Sequence, residues 1–535
     1  MKVSFRFPAA LLVGWAITPF SFSWALSKHN LAHEDLIEEL PLYGPPPTSQ
    51  YSGFLDATKG CDTDANGPEC KVFYWLAEAE NDPDREKPLI LWLNGGPGAS
   101  SVFGMLQELG PLILNATGNG FMENPWAWTK VANLLILESP LGVGFSYCEA
   151  MTRGEKCMNT DRTTASLNRA ALEEFYRKFP EFADKKLYLT GESYSGVYVP
   201  LLAKKLLDSS PGIQLAGLAV GNPCTDNESQ RESMNRLWYS NKYGLVDPDI
   251  YEILNDKTCI KDGIAQFDEP KCRIAFYKYW TSSSHGIKTV SKFKETFLDK
   301  FELYGFMDRA EGWFLVDYMN REDVRKALHT EYAPTSHWSS VSTKDDIGYI
   351  KEFRACSYHD DIVLEESMVD IYRDIIPRLE RTWIFNGDAD PTVSYEGTRL
   401  AVQKIGFEKL PGESYRPWFY NHTAAPINVI MEKPPKFGPD LIPHPLGSQF
   451  GGEVEDYQHG LSFFTVHGGG HMVSDIVSCY KIAELKGEQY VHCSLNKFYS
   501  FHLLFPTGAS VPSSSNLPLP LQVLGFRASL ATIVA

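Results

Sequence analysis

The chain has 535 residues, more than one ordinary domain, so one large domain with insertions or two domains is expected. Its 67 acidic and 50 basic residues leave a formal charge of −17, which argues against nucleic-acid or anionic-membrane partners and fits a soluble protein. At the N-terminus, Lys2 and Arg6 precede an apolar run from Phe7 to about Phe22, and Ser23-Trp24-Ala25 places small residues where a signal peptidase inspects the chain. Residues 1–25 are therefore predicted to be a signal peptide, because the apolar core is too short for a span and polar Ser27-Lys28-His29-Asn30 follows it. No later stretch offers the about twenty consecutive apolar residues of a membrane helix, so the mature chain is expected to have no membrane partner. An extracellular destination is expected, with the vacuole as the alternative.

In such a compartment the ten cysteines read as disulfide candidates. Cys61/Cys70, Cys148/Cys157 and Cys259/Cys272 are spaced closely enough to close short loops, although spacing alone does not fix connectivity. No Cys or His spacing matches a metal site, so no metal and no cofactor is expected. Sequons at Asn115, Asn227 and Asn421 are candidate glycosylation sites.

After an N-terminal extension over 26–48, short apolar runs end at loops rich in Gly, Pro or Asn. Pro88–Leu93 leads into Asn94-Gly95-Gly96-Pro97-Gly98, and Asn133–Leu137 into Glu138-Ser139-Pro140. Lys186–Thr190 leads into Gly191-Glu192-Ser193, Leu215–Val220 into Gly221-Asn222-Pro223, and Thr382–Phe385 into Asn386-Gly387-Asp388. Uninterrupted apolar strands suit a sheet covered on both faces. A helical pattern over Thr163–Phe179, with Leu167, Ala171, Leu172, Phe175 and Phe179 on one face, lies between two of them. The alternation predicts an α/β fold with a mostly parallel central sheet, whose ligands sit at the strand C-terminal ends. From about Asp226 to Glu366 the rhythm breaks into charged, aromatic, helix-like sequence. Residues 226–366 are read as a largely helical cap insertion into a core formed by 49–225 and 367–472; a separate second domain is the alternative.

Gly191-Glu192-Ser193-Tyr194-Ser195-Gly196 sits between a predicted strand and a helix-compatible segment. There a sharp turn would lift the Ser193 hydroxyl above the sheet, with Ser195 where the strict motif has Gly. A serine hydroxyl needs a base, and the base needs an acid to orient it, in the chain order Ser, Asp, His. Downstream, Asn386-Gly387-Asp388-Ala389-Asp390 ends one apolar run. Leu461–Val466 runs toward Gly468-Gly469-Gly470-His471, whose glycines allow close backbone approach; His467 is the rival base.

Taken together these segments resemble the serine carboxypeptidases, of α/β-hydrolase fold. The carrying motifs are Trp92–Ser101, Ser139–Tyr147, Gly191–Pro200, Gly387-Asp388-Ala389-Asp390 and Gly470-His471-Met472, spread over about Tyr51 to Met472. The resemblance implies a catalytic triad of Ser193, Asp390 and His471, with Asp390 preferred to Asp388. It implies an oxyanion hole from the Gly96 and Tyr194 amides, and a substrate-carboxylate site from Asn94, the Gly95 amide and Glu192. A Glu beside an anion must be protonated to donate a hydrogen bond, and the anion itself favours that form. With neutral His471 as base, acid-favoured release of C-terminal amino acids from peptides and proteins follows as the expected function, in a monomer or homodimer. An acyltransferase or esterase on the same scaffold is the alternative, and Asn94 with Glu192 weighs against it. A non-catalytic member is the third reading, against which Ser193, Asp390 and His471 stand.

Two departures from the family pattern appear. Ala99 stands where the family usually has a disulfide-bonded Cys, so a looser Gly-rich loop is expected. Beyond Met472 the chain reads Val473-Ser474-Asp475 and drifts into a Pro- and Ser-rich end without helical periodicity. Val-Ser can be encoded by GTG-AGT, which is like a splice donor. The atypical tail 473–535 is therefore read as carry-through from an unspliced intron, whose removal would also remove Cys479 and Cys493; a genuine divergent tail is the alternative.

Overall fold

The computed structural model describes residues 33–473 except 284–308, 357–365, 423–446 and scattered positions between. The expected signal peptide, the tail from Ser474, Cys479 and Cys493 lie outside the described residues. The apolar runs identified in the sequence are strands of one eleven-stranded sheet. In chain order its long strands are β1 (Gln50–Asp56), β2 (Cys70–Ala77), β3 (Leu89–Leu93), β4 (Asn133–Leu137), β5 (Leu187–Glu192) and β6 (Leu215–Gly221). After the insertion come β7 (Arg381–Gly387), β8 (Arg416–His422), β9 (Gly447–Asp456) and β10 (Leu461–Val466). The spatial order is β1-β2-β4-β3-β5-β6-β7-β10-β9-β8, with Tyr147–Cys148 also paired to β2. The six strands from β4 to β10 are mutually parallel. Antiparallel strands finish both edges.

Side chains along each strand alternate between two cores. Leu89, Leu91 and Leu93 enter one, while Ile90 and Trp92 enter the other. Val72, Tyr74 and Leu76 are divided in the same way from Phe73 and Trp75 on β2. Both faces are covered, which is why the strands carry no polar alternation. Helix α1 (Asp161–Lys178) buries Leu167, Ala171, Leu172 and Phe175 in the first core, beside α2 (Ser195–Ser209). It begins two residues before the predicted start because Thr160 caps it. The Thr160 hydroxyl accepts from the Thr163 amide at 3.1 Å, and the Thr163 hydroxyl accepts from the Thr160 amide at 2.7 Å.

The N-terminal extension is less peripheral than its sequence suggests. Ile37 and Leu40 are buried in the second core, and Asp35 accepts from Tyr74 Oη and Lys178 Nζ. Between β6 and β7 the chain leaves the sheet through helices Arg236–Lys242, Pro248–Asn255, Pro270–Ser283, Arg309–Met319 and Glu322–Ala327. The first three share a small core of their own, including Leu237, Tyr239, Leu254 and Tyr279. Leu315, Tyr318 and Met319 of the fourth instead pack into the second sheet core.

Eight cysteines among the described residues form four disulfides. Three are the closely spaced pairs Cys61–Cys70, Cys148–Cys157 and Cys259–Cys272. The fourth, Cys224–Cys356, joins the two ends of the insertion across a separation of 132 residues. Closing so long a loop restricts the unfolded chain strongly. The double substitution Cys224→Ala and Cys356→Ala should cost about 2–5 kcal/mol, read from denaturant unfolding. An unchanged midpoint would show that the two ends are held together by packing alone.

Candidate active site

Strand β5 ends at Glu192 and α2 begins at Ser195, so Ser193 and Tyr194 alone turn the chain. Ser193 adopts φ of +59°, a conformation that costs a non-glycine residue about 1–3 kcal/mol. It is held there by its backbone: Ser193 N donates to Gly221 O, and Ser193 O accepts from the Gly196 and Cys224 amides, each at 2.9 Å. A Cβ on Gly191 would lie 2.4 Å from Leu93 O, and one on Gly196 would lie 2.3 Å from Cys224 O, so both must be glycine. Ser195 fits where the strict motif has Gly because its hydroxyl donates to Leu93 O at 2.6 Å.

Asp390 and His471 come together from two other strand ends. His471 Nδ1 lies 2.8 Å from Asp390 Oδ2, with both side chains excluded from solvent. A carboxylate accepts only, so Nδ1 carries the hydrogen and Nε2 is the basic nitrogen. The Asp390 carboxylate also accepts from the Thr392 amide at 2.7 Å, the Val393 amide at 3.2 Å and Asn222 Nδ2. The last donor was not foreseen. Asn222 Nδ2 also reaches Gly470 O at 3.2 Å, so one amide braces the segments carrying both Asp390 and His471. Its sequence signal is a polar side chain at the C-terminal end of a parallel strand, where functional groups gather. Gly387 lets the two segments touch, since a Cβ there would lie 2.2 Å from Gly469 O.

The rival residues form a second pair. His467 Nδ1 lies 2.7 Å from Asp388 Oδ2, and Asp388 Oδ1 accepts from the Gly468 amide at 2.7 Å. This imidazole is largely exposed. Its pKa is raised by the hydrogen bond to Asp388.

The Gly-rich loop after β3 lies against the elbow. A Cβ on Gly95 would be 2.4 Å from the Tyr194 nitrogen and 2.8 Å from Ser193 Cβ. Where the family usually has a disulfide at position 99, backbone pairing joins the loop to residues 340–342. Ala99 forms an antiparallel bridge with Val341, flanked by Ser100 N to Ser340 O at 2.9 Å and Ser342 N to Gly98 O at 2.8 Å. Tyr194 is fixed from behind, its hydroxyl donating to buried Asp161 at 2.9 Å.

Asn94, Glu192 and a carboxyl that the sequence did not single out, Glu108, form one buried cluster. Asn94 Nδ2 donates to Glu192 Oε1 at 2.9 Å and to Glu108 Oε1 at 3.2 Å. Asn94 Oδ1 accepts from Trp92 Nε1 at 2.7 Å and the Gly104 amide at 3.2 Å, which fixes the amide's orientation. Glu108 lay hidden because it belongs to no motif and enters from the turn Gly104–Glu108. Among the sequon residues, Asn115 donates to Asn119 Oδ1, Asn227 starts a four-residue helix, and Asn421 lies in β8. Among the described residues no cluster of His, Cys, Asp and Glu could hold a metal ion. A strained serine, an oriented imidazole and a loop of backbone amides are parts suited to nucleophilic acyl transfer.

The family model of the serine carboxypeptidases matches residues 41–478. Serine carboxypeptidase 24 of Arabidopsis thaliana is 30% identical over 488 residues, covering 86% of this chain and 93% of that protein. The lysosomal protective protein of Mus musculus is 29% identical over 507 residues, covering 86% and 95%. The crystal structure of Kex1Δp, a prohormone-processing carboxypeptidase from Saccharomyces cerevisiae, superposes with a TM-score of 0.60 at 19% identity. It covers 86% of this chain and 99% of that one, and places the fold among the α/β-hydrolases.

The two Asp–His pairs can be told apart by titration. Asp388→Asn should return His467 from its raised pKa toward the ordinary imidazole range, followed by histidine NMR. A His467 titration unmoved by Asp388→Asn would mean that the hydrogen bond is not what raises it.

Proposed function

Since the chain belongs to the serine carboxypeptidase family, we propose that it releases single C-terminal amino acids from peptides and proteins through a Ser193, Asp390 and His471 triad. Ser193 Oγ attacks the scissile carbonyl carbon while His471 Nε2 takes the hydroxyl proton, and Asp390 stabilises the resulting imidazolium. The oxyanion is received by the Gly96 and Tyr194 amides. Collapse breaks the C–N bond, and His471 returns its proton to the departing amino group. Water, deprotonated by the same imidazole, then hydrolyses the acyl-enzyme and restores Ser193.

The observation that carries the exopeptidase reading is the buried pair formed by Asn94 of the Gly-rich loop and Glu192, the residue directly before the nucleophile. Protonated Glu192, an Asn94 amide hydrogen and the Gly95 amide would together bind a terminal carboxylate. A carboxyl that must donate works only with its proton, so hydrolysis should weaken as the medium becomes less acidic. Four disulfides favour an oxidising compartment, in keeping with a secreted or vacuolar enzyme. The test is incubation of the purified protein with a blocked dipeptide in mild acid, with release of a free amino acid as the outcome.

Ser193→Ala should lower hydrolysis by several orders of magnitude with the fold intact; comparable turnover by the folded variant would remove Ser193 from the mechanism. Asp390→Asn should depress kcat far more than it raises KM, whereas Asp388→Asn should not. The reverse pattern would move the catalytic acid to Asp388. Asn94→Ala should weaken hydrolysis of free-acid peptides by about 1.5–3 kcal/mol and leave their amidated counterparts nearly unchanged. Equal losses in kcat/KM on both substrates would restrict Asn94 to shaping the loop.

A further inference from the structure

Glu138 follows β4 and is fully buried, with no charged side chain among its hydrogen-bond partners in the described residues. Its Oε1 accepts from Ser100 Oγ and from Trp338 Nε1 at 2.9 Å, and its Oε2 accepts from the Phe145 amide at 2.5 Å. Residue 144 is glycine for this reason: a Cβ there would lie 1.8 Å from the carboxyl. The three packed segments thus present a hydroxyl, an indole and a backbone amide. Arg325 lies over the Phe145 ring at 5.1 Å and donates to the carbonyls of Thr330 and Thr335. A buried carboxyl without an opposite charge is a costly way to fill space, and apolar packing would be cheaper.

Its partners give the carboxyl a purpose. Ser100 belongs to the Gly-rich loop, and its Oγ also accepts from the Val102 amide at 3.1 Å. Trp338 leads into Ser340–Ser342, the segment paired with Gly98–Ser100. One carboxyl therefore grips both sides of this short ladder and ties them to the end of β4. We propose that Glu138 is a positioning residue, a clasp that holds the Gly-rich loop where the Gly96 amide can receive the oxyanion; this rests on the reading of Gly96 as a donor.

Burial raises the Glu138 pKa to about 7. A carboxyl raised in the folded state adds stability in full below its ordinary range, and that stability is lost as pH rises through the folded value. The three donors oppose that shift because they favour the ionised carboxyl, so the lost stability reflects its burial and not a weaker grip. The melting temperature of the wild type should fall between about pH 5 and 8 by more than that of Glu138→Gln.

The kinetic test uses Glu138→Gln, which replaces an acceptor oxygen with a donor, and Ser100→Ala, which removes the loop's link to the carboxyl together with the acceptor of the Val102 amide. Each should lower kcat by about tenfold to a hundredfold with KM nearly unchanged, because the Asn94–Glu192 pair is untouched. Ala99 and Val341 face each other, so Ala99→Cys with Val341→Cys places a reducible link across the same ladder. When oxidised, that link should restore most of the lost kcat in either variant, and reduction should remove the gain. Acylation by p-nitrophenyl acetate, which has no terminal carboxylate, should follow the same pattern. Ester turnover without peptide hydrolysis would defeat the exopeptidase reading and leave the clasp to be judged on the ester alone. A folded Ser100→Ala enzyme with wild-type kcat would overturn the clasp. So would a loss of kcat that the oxidised link does not recover.

Discussion

A serine held at φ of +59° between a parallel strand and a helix is the constraint around which the rest of the site is arranged. The conformation is unfavourable by itself, so neighbouring backbone must over-determine it. Gly221 O, the Gly196 amide and the Cys224 amide do so through hydrogen bonds. Close approach then dictates composition: Gly191, Gly196 and Gly95 are each pressed against backbone by less than a Cβ would allow. Ser195 is admitted only because its hydroxyl has Leu93 O to bond. Several motifs scattered along the chain are thus the imprint of one crowded turn.

Around that turn the interior is polar to an unusual depth. Asp161, Glu192, Glu108, Glu138 and Asp390 are all buried near the C-terminal ends of the strands or the loops that follow. A parallel sheet brings backbone amides and loop side chains to this edge, and these supply the donors that buried carboxyls need. Asp161 illustrates the pattern, accepting from Tyr194 and Tyr349 hydroxyls and the Glu352 and Phe353 amides. Burial still raises its pKa. The two Asp–His pairs make the same point by contrast. Both have short Nδ1–carboxylate contacts, but only the 390–471 pair is removed from water.

The insertion is coupled to this edge. Tyr239 and Tyr243, in and just after helix Arg236–Lys242, donate to the carbonyls of Ala389 and Asp388, each at 2.8 Å. They fix consecutive peptides immediately before Asp390. The insertion therefore bears on the geometry of the segment that carries Asp390, and Cys224–Cys356 keeps its two ends together.

The sequence determined much of the sheet, because strands buried on both faces must be continuously apolar and runs such as Leu89–Leu93 and Leu461–Val466 are short, apolar and followed by glycine-rich loops. It also pointed to Ser193, since a turn with small residues on both sides suits that backbone, and through the family motifs to Asp390 and His471, with Asp388 and His467 as rivals. The contacts themselves, Asp390 with His471 and Asp388 with His467, are seen only in the tertiary structure, because residues two and four apart on a loop differ only in the direction the backbone gives them. Asn222, Glu108 and Glu138 were equally hidden. Each acts on partners between 7 and 248 positions away, which no local pattern encodes. The ladder between Ala99 and Val341 was invisible for the same reason: backbone pairing of two irregular segments leaves no mark on residue type, and only the folded chain brings them together.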